Sequence, residues 1–529
     1  MLASIGVAAL GLAGSPSHAA EPGQVAADPV LTWVDQTNRA IQDTSTDPFQ
    51  ASRALALESI AVLDTVRSIA SAPGLLVRLP GAPDLDPAVA AAAAAHAMLC
   101  HLFPSRSAAL DAALDTSLAG APADPARDRA VAFGTAVADA ILARREEDGW
   151  KAKEAADGKP GADPAPGQWR PTPPGFAPAE NQQWGTVKPF VMTQPGQFRP
   201  AGPPGVGTAA FREAAAAVAS VGADGSTGRT AEETEIARYW SDAAGTYGPA
   251  GHWNAIAANL AAPKGLSLEA EAQLFAELNV AIADAGIAVA DAKSKYRFWR
   301  PVTVIRDGAA GAPADPAWSP LLDTPNQPSY ISVQAAFGGA AATVLTAVLG
   351  EQAFSFTGAA LPGVARTFTS FQQAAEEAAV SPEFGGTHYA FDDADGLATG
   401  RAVGAWTMTA FHRLAQDHGP MIVMDHPASA HHKRAPMSGF ALDNFSPVKT
   451  VTVRVDGGQR YNVAVDDKGR FTLPHLHAGQ FGQIEAVLVA TSATGRAAVA
   501  RLELEHALPG SVVTAPFTVA PDDGSGTSP

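Results

Sequence analysis

Lys293 and Arg300 stand seven residues apart in Lys293-Ser-Lys-Tyr-Arg-Phe-Trp-Arg300-Pro301. On a helix, seven residues return to within roughly 20° of the same face. The spacing therefore predicts two convergent cations. Pro301 biases Arg300 away from helical backbone, which predicts that the second cation sits at a helix end. Convergent cations need an anion. Ser332 precedes a predicted helix over 335–349, and a serine hydroxyl with the free N–H groups of a helix start points toward an anion. His388 follows Gly385-Gly386 and adds an imidazole able to attack or to carry a proton. This set suits oxyanion binding or proton transfer.

The same residues carry a resemblance. The pattern K-x6-R-P is similar to the first of three motifs of the vanadium-dependent haloperoxidase and acid-phosphatase superfamily. Its second motif, P-S-G-H, matches Ile331-Ser332-Val333-Gln334. Its third, S-R-x5-H-x3-D, matches the stretch from Ser381-Pro382 through His388 to Asp392. Gln197-Phe-Arg-Pro200 and Gly251-His-Trp-Asn254 extend the likeness over roughly residues 30–445. The resemblance implies an all-α fold, two helical bundles of the vanadium haloperoxidase type. It also implies a tetrahedral oxyanion site carried by Lys293, Arg300, Ser332, Val333, Gln334 and His388. Lys293, Arg300, Ser332, His388 and His252 become the catalytic candidates. No metal-ligating residues are expected.

Three parts of that site are changed. The second arginine is Pro382, which removes charge-assisted hydrogen bonds worth about 1.5–3 kcal/mol each. The acid–base histidine is Gln334, a loss of about 10²–10⁴ in rate. Val333 adds bulk where a glycine would let the backbone approach the anion. The resemblance points to the actinobacterial meroterpenoid branch of the superfamily, in secondary-metabolite and antibiotic biosynthesis. Some members there rearrange an α-hydroxyketone without halide or peroxide. The leading expectation is such an isomerase, acting on a prenylated naphthoquinone-type small molecule with no required cofactor. Lys293, Arg300 and His388 would set the electrostatics, and Ser332 or His252 would contact the substrate. Phosphate, or a phosphohistidine at His388, is a candidate occupant; it would add one phosphoryl group to the intact mass. The alternative is a vanadate-dependent chloroperoxidase acting on a meroterpenoid. The third class is a non-catalytic anion- or quinone-binding homologue.

Composition narrows the partners. The 529 residues carry 36 Lys+Arg against 53 Asp+Glu, a net charge of −17, which argues against nucleic acid or anionic membrane. Oligomeric state stays open, with a homodimer as one candidate. The single cysteine, Cys100, excludes an intrachain disulfide and reads as a buried structural thiol in the apolar run 89–103. Residues 1–20 read as a signal-peptide core ahead of Ser17-His-Ala19, or as a flexible tail. Export is the expectation and a cytoplasmic location the alternative.

These groups must be positioned by helices. Apolar periodicity predicts helices over 33–70, 87–102, 126–147, 209–221, 231–243, 267–299, 368–379 and 394–415. Twelve prolines between Pro160 and Pro204 interrupt them. Trp169, Trp184, Phe190 and Phe198 among those prolines predict an ordered, extended wrap, since a solvated linker has little use for aromatics. The expected units are an N-terminal bundle plus wrap (28–208), a bundle carrying the site (209–446), a small antiparallel β domain (447–520) and a tail (521–529). In the last bundle, Asp393 and Asp395 fall in a first turn where the helix dipole favours acids. His252 reads first as a loop histidine, and His431-His432 as a polar linker. Trp299 is expected beside the cage; Lys295 and Arg297 read as solvated or helix-end charges.

Overall fold

The computed structural model describes residues 28–80, 84–152, 165–309, 311 and 313–415. In the C-terminal sheets it describes 421–424, 438–442, 448–455, 459–466, 470–473, 483–492, 497–505 and 517–520. The signal-like segment and His431-His432 lie outside these residues.

Four helices open on the same dipeptide. Asp28-Pro29, Asp47-Pro48, Asp86-Pro87 and Asp124-Pro125 begin α1 (Pro29–Thr44), α2 (Pro48–Ile69), α3 (Pro87–Leu102) and, one helix later, α5 (Pro125–Arg145). Each aspartate accepts from two amides of the first turn, and each proline occupies a position whose N–H would have no intrahelical partner. One such cap divides the helix expected over 33–70, because Ser45 turns left-handed and Asp47 restarts the chain. Between α3 and α5 lies α4 (Ser107–Leu118), a helix that apolar periodicity does not predict.

The second half continues with α6 (Ala209–Val221), α7 (Ala231–Tyr239), α8 (Gly248–Ala261), α9 (Leu268–Tyr296), α10 (Pro301–Asp307), α11 (Val333–Leu349), α12 (Phe371–Phe384) and α13 (Ala390–Ala415). A hairpin of β1 (Phe354–Thr357) and β2 (Ala365–Phe368) joins α11 to α12. One continuous apolar core runs from Val30 to Phe411 through both halves, with α9 at its centre against α2, α11 and α13. By length and hydropathy α9 resembles a membrane span, but 94% of that window is buried inside the protein.

Close backbone approach fixes α11 against α13, the pair that frames the site. A Cβ at Gly400 would come within 2.0 Å of the Ala336 carbonyl oxygen, and one at Gly396 within 2.8 Å of the Ser332 carbonyl oxygen. The proline-rich segment is clasped to α9 by a buried carboxylate. Asp284 accepts from the amides of Phe190, Val191 and Met192 at 2.7, 2.9 and 2.8 Å. Trp169, Trp184 and Phe198 are buried. Upstream, the Trp169 amide donates to the Arg297 carbonyl and the Trp299 amide to the Gly167 carbonyl. The described part of the wrap thus braces the residues just before Arg300.

The C-terminal strands are β3 (Met421–Met424), β4 (Ser438–Leu442), β5 (Val448–Val455), β6 (Gln459–Ala464), β7 (Arg470–Thr472), β8 (Gln483–Ser492), β9 (Ala497–Glu505) and β10 (Phe517–Ala520). They form antiparallel sheets of order β10-β9-β8-β5-β6 and β3-β4-β7. Val451, Val453, Leu488 and Ala490 are buried, as their alternation requires. The C-terminal strands begin at Met421, ahead of residue 447, with β3 and β4 paired to each other and β4 to β7.

Burial makes one core acid testable. Glu58 on α2 accepts only from the Ser59 hydroxyl at 3.2 Å among the described residues, and burial raises its pKa to about 8 from 4.5. Between those values the unfolded chain has released a proton that the folded protein retains, so this group makes stability fall as pH rises. Glu58→Gln is expected to match wild type at pH 4 and to gain progressively over it toward pH 8. Urea denaturation across that range checks the sign.

Candidate active site

Lys293 lies in the last turn of α9, which ends at Tyr296 when Arg297 turns left-handed. The chain then runs extended, and Arg300 (φ −83°, ψ 155°) is the N-cap residue of α10. Pro301 does exclude Arg300 from helical backbone, as expected. The two cations do not share one helical face, however: the helix stops between them and tertiary packing makes them converge. Ser332 caps α11, its hydroxyl accepting from the Ala335 amide at 3.4 Å. Val333 and Gln334 are the first residues of that helix. His388 precedes α13, and Asp392 lies in its first turn.

The centre is buried, and its two cations and its imidazole are paired within the protein. Lys293, Arg300 and His388 are 4%, 1% and 6% exposed. Lys293 Nζ donates to the Pro328 and Ser329 carbonyls at 2.5 and 3.1 Å. Arg300 donates from Nε to the Gln327 carbonyl at 2.8 Å, and from Nη1 to the Thr387 carbonyl and to His388 Nε2, both at 2.9 Å. His388 Nδ1 meets Asp392 Oδ2 at 3.0 Å. Because guanidinium can only donate, Nε2 is the acceptor, and the ring is neutral with its proton on Nδ1. Burial, then Arg300 and Lys293, hold the imidazole well below its usual pKa.

Asp392 Oδ2 also accepts from the Ser329 hydroxyl and from the Tyr389 amide, the latter at 3.2 Å. Burial raises its pKa to about 7, against the pull of these donors and of the two cations. The same burial, with Arg300 nearby, depresses Lys293 and brings Arg300 down to about 10. Asp393 is 4% exposed and neither carboxyl oxygen has a well-formed hydrogen bond to a described residue. Burial, then Asp392 and Glu383, push its pKa well up, and the neighbouring Ser332 hydroxyl offsets only part of that. Asp393 is thus a buried acid whose surroundings favour its neutral form, whereas its place in the sequence suggests only a helix-dipole role.

His252 needs correction. It lies on α8 and is fully buried, although Gly248-Pro-Ala-Gly251 reads as a loop. Its Nδ1 meets Asp242 at 3.0 Å and its ring stacks on Trp240 with centroids 4.6 Å apart. Gln334 Nε2 donates to the same Asp242 at 3.3 Å. The glutamine in the acid–base position thus connects to a second His–Asp pair that the motifs did not reveal. Trp299 is buried and stacked on Phe211, as expected beside the cage. Lys295 is exposed.

A family model described as the VCPO second helical-bundle domain matches residues 273–417, the stretch containing every residue of the three motifs. The crystal structure of a bacterial vanadium-dependent iodoperoxidase is 27% identical, with a TM-score of 0.65, covering 74% of this chain and 97% of that one. These likenesses support a place in the vanadium haloperoxidase superfamily. A holo-type bacterial vanadium-dependent chloroperoxidase shares the fold at 16% identity and a TM-score of 0.54, covering 70% of this chain and 93% of that one. The vanadium chloroperoxidase of Curvularia inaequalis is 39% identical over 79 residues. That match spans only 13% of the length of this curated relative.

The residues present do not fit the tetrahedral oxyanion that the motif resemblance implies. The apical nitrogen, His388 Nε2, accepts from Arg300. Both Lys293 and Arg300 donate to carbonyls. Pro382, in the last turn of α12, supplies no third cation. The Arg300 contact covers the His388 nitrogen on which a phosphoryl group was expected. A cavity of about 30 Å³ reaches Lys293, Arg297, Gln327 and Pro328, room for a single water.

Proposed function

We propose that the protein is an isomerase that catalyses a 1,2-shift in an α-hydroxyketone, using the haloperoxidase framework without redox chemistry. One observation carries this reading: a guanidinium N–H and a neutral imidazole lone pair face each other at 2.9 Å. An α-hydroxyketone presents the complementary pair on adjacent carbons, a hydroxyl that donates and a carbonyl that accepts. The substrate enters this contact by giving its hydroxyl to His388 Nε2 and its carbonyl oxygen to Arg300 Nη1. His388 takes the hydroxyl proton, and Asp392 stabilises the imidazolium through Nδ1. The migrating group leaves the carbinol carbon with its bonding electrons and bonds to the carbonyl carbon. The first oxygen becomes the new ketone. The former carbonyl oxygen, an alkoxide held by Arg300, recovers the proton from His388. No electrons are gained or lost, and substrate and product are isomers.

The meroterpenoid branch that the motifs resemble makes a prenylated hydroxynaphthoquinone-type ketone the substrate to try. Incubation without vanadate, peroxide or halide is expected to yield a product of unchanged mass and altered retention. His388→Ala is expected to lower the rate by about 10²–10⁴. The 27% identity to an iodoperoxidase favours one other reading, halide oxidation. Robust vanadate-dependent iodination or bromination of dimedone by wild type, with no isomer formed, would replace the isomerase reading by that one.

A further inference from the structure

On the N-terminal half, His96 and Cys100 lie one turn apart on α3 and so share a face. The chain then bends by 117° between α3 and the helical segment Pro104–Leu118 that contains α4, which brings Asp111 of α4 to the same point. His96 Nε2 is 2.7 Å from Asp111 Oδ1 and 3.4 Å from Cys100 Sγ. All three donor atoms lie within 4.8 Å of one another. The arrangement is not a nucleophile relay, because acid and thiol meet the same ring nitrogen, whereas a relay needs them on opposite nitrogens. Burial also raises the Cys100 thiol pKa, the reverse of what an activated thiol requires. Convergence of nitrogen, sulfur and oxygen on one point is instead what a borderline-soft metal ion selects.

We propose that His96, Cys100 and Asp111 form a three-ligand site for a zinc-like divalent cation, with water completing a tetrahedron. Donor atoms on such an ion stand about 3.3–3.6 Å apart, given bonds of about 2.0–2.3 Å. The nitrogen–sulfur pair already fits. The carboxylate must withdraw slightly from the imidazole, staying within reach of the sulfur. Asp111 can do so, because its side chain is 64% exposed, and the same exposure gives the ion its entry path. Trp33 meets the His96 ring edge-on at 6.1 Å and limits its rotation. Binding displaces the thiol proton and ties α4 to α3.

The test uses tag-free, reduced full-length protein titrated with Co²⁺ and then Zn²⁺. One equivalent of Co²⁺ should bring up a thiolate-to-metal charge-transfer band together with tetrahedral d–d bands, and Zn²⁺ should bleach both. Cys100→Ser should abolish the charge-transfer band. His96→Ala and Asp111→Asn should each weaken binding by at least about tenfold, with unchanged circular dichroism. Absence of the band in wild type overturns the proposal, as does wild-type affinity in either the His96 or the Asp111 variant. The readout is independent of the isomerase reading.

Discussion

Asp392→Ala is expected to cost about 3–5 kcal/mol of folding stability, the range for removing one partner of a buried charge group. Asp392 is fully buried and its Oδ2 gathers His388, Ser329 and the Tyr389 amide. It also supplies the leading counter-charge for Arg300 and Lys293, both of which are buried. Alanine would leave Arg300 charged in a buried site without this counter-charge and free the His388 ring to rotate. Asp392→Asn keeps the volume and one acceptor oxygen, so it should lie between wild type and the alanine variant. Urea unfolding followed by circular dichroism reads both. A loss below about 1 kcal/mol for alanine would show that the carbonyls alone solvate the cations adequately.

Returning the missing oxidation groups should have the opposite kind of effect. The double variant Gln334→His with Pro382→Arg restores a proton carrier and a third cation. It is expected to raise vanadate-dependent halide oxidation by about 10²–10⁴ over wild type. Helix α11 already holds position 334 toward Asp242, so the new imidazole would have a carboxylate to orient it. The introduced guanidinium would start from the last turn of α12, whose position-382 carbonyl already receives the Thr387 amide. It would thus stand close to the Thr387 carbonyl that Arg300 now uses. Competition for that carbonyl should loosen Arg300 from His388. Dimedone bromination with added orthovanadate and peroxide measures the gain. An unchanged rate would place the obstacle at Val333 or at the Arg300–His388 contact itself.

The helical architecture was legible because its signals are local. Asp-Pro boundaries, serine caps and apolar periodicity act within one or two turns, so α3 and α6 match the expected spans at both ends. Where tertiary packing decides, local signals mislead. Gly248-Pro-Ala-Gly251 suggests a turn, but burial of Trp253 and Ile256 keeps the segment helical and takes His252 into the core. The seven-residue interval between the cations suggests one continuous helix, yet Arg297 ends it. Asp393 shows the limit most plainly: an acid in a first turn looks the same in sequence whether it meets solvent or another acid. The retained motif residues are found by their spacing. What they bond to is not, because the Gln327–Ser329 carbonyls that receive Lys293 and Arg300 have no side-chain signature.

Those carbonyls and the facing imidazole mean that Lys293, Arg300 and His388 each already have an internal partner. Any visitor must outcompete that partner for each group it touches. A bare halide or sulfate brings acceptors alone; it could satisfy the guanidinium but would strand the imidazole lone pair, at a cost of about 1–3 kcal/mol. An alcohol without a neighbouring ketone replaces only part of what it disrupts. On the proposed isomerase reading, selectivity for a guest with both functions side by side would follow from how the protein pairs its own polar groups, before any pocket wall has been consulted.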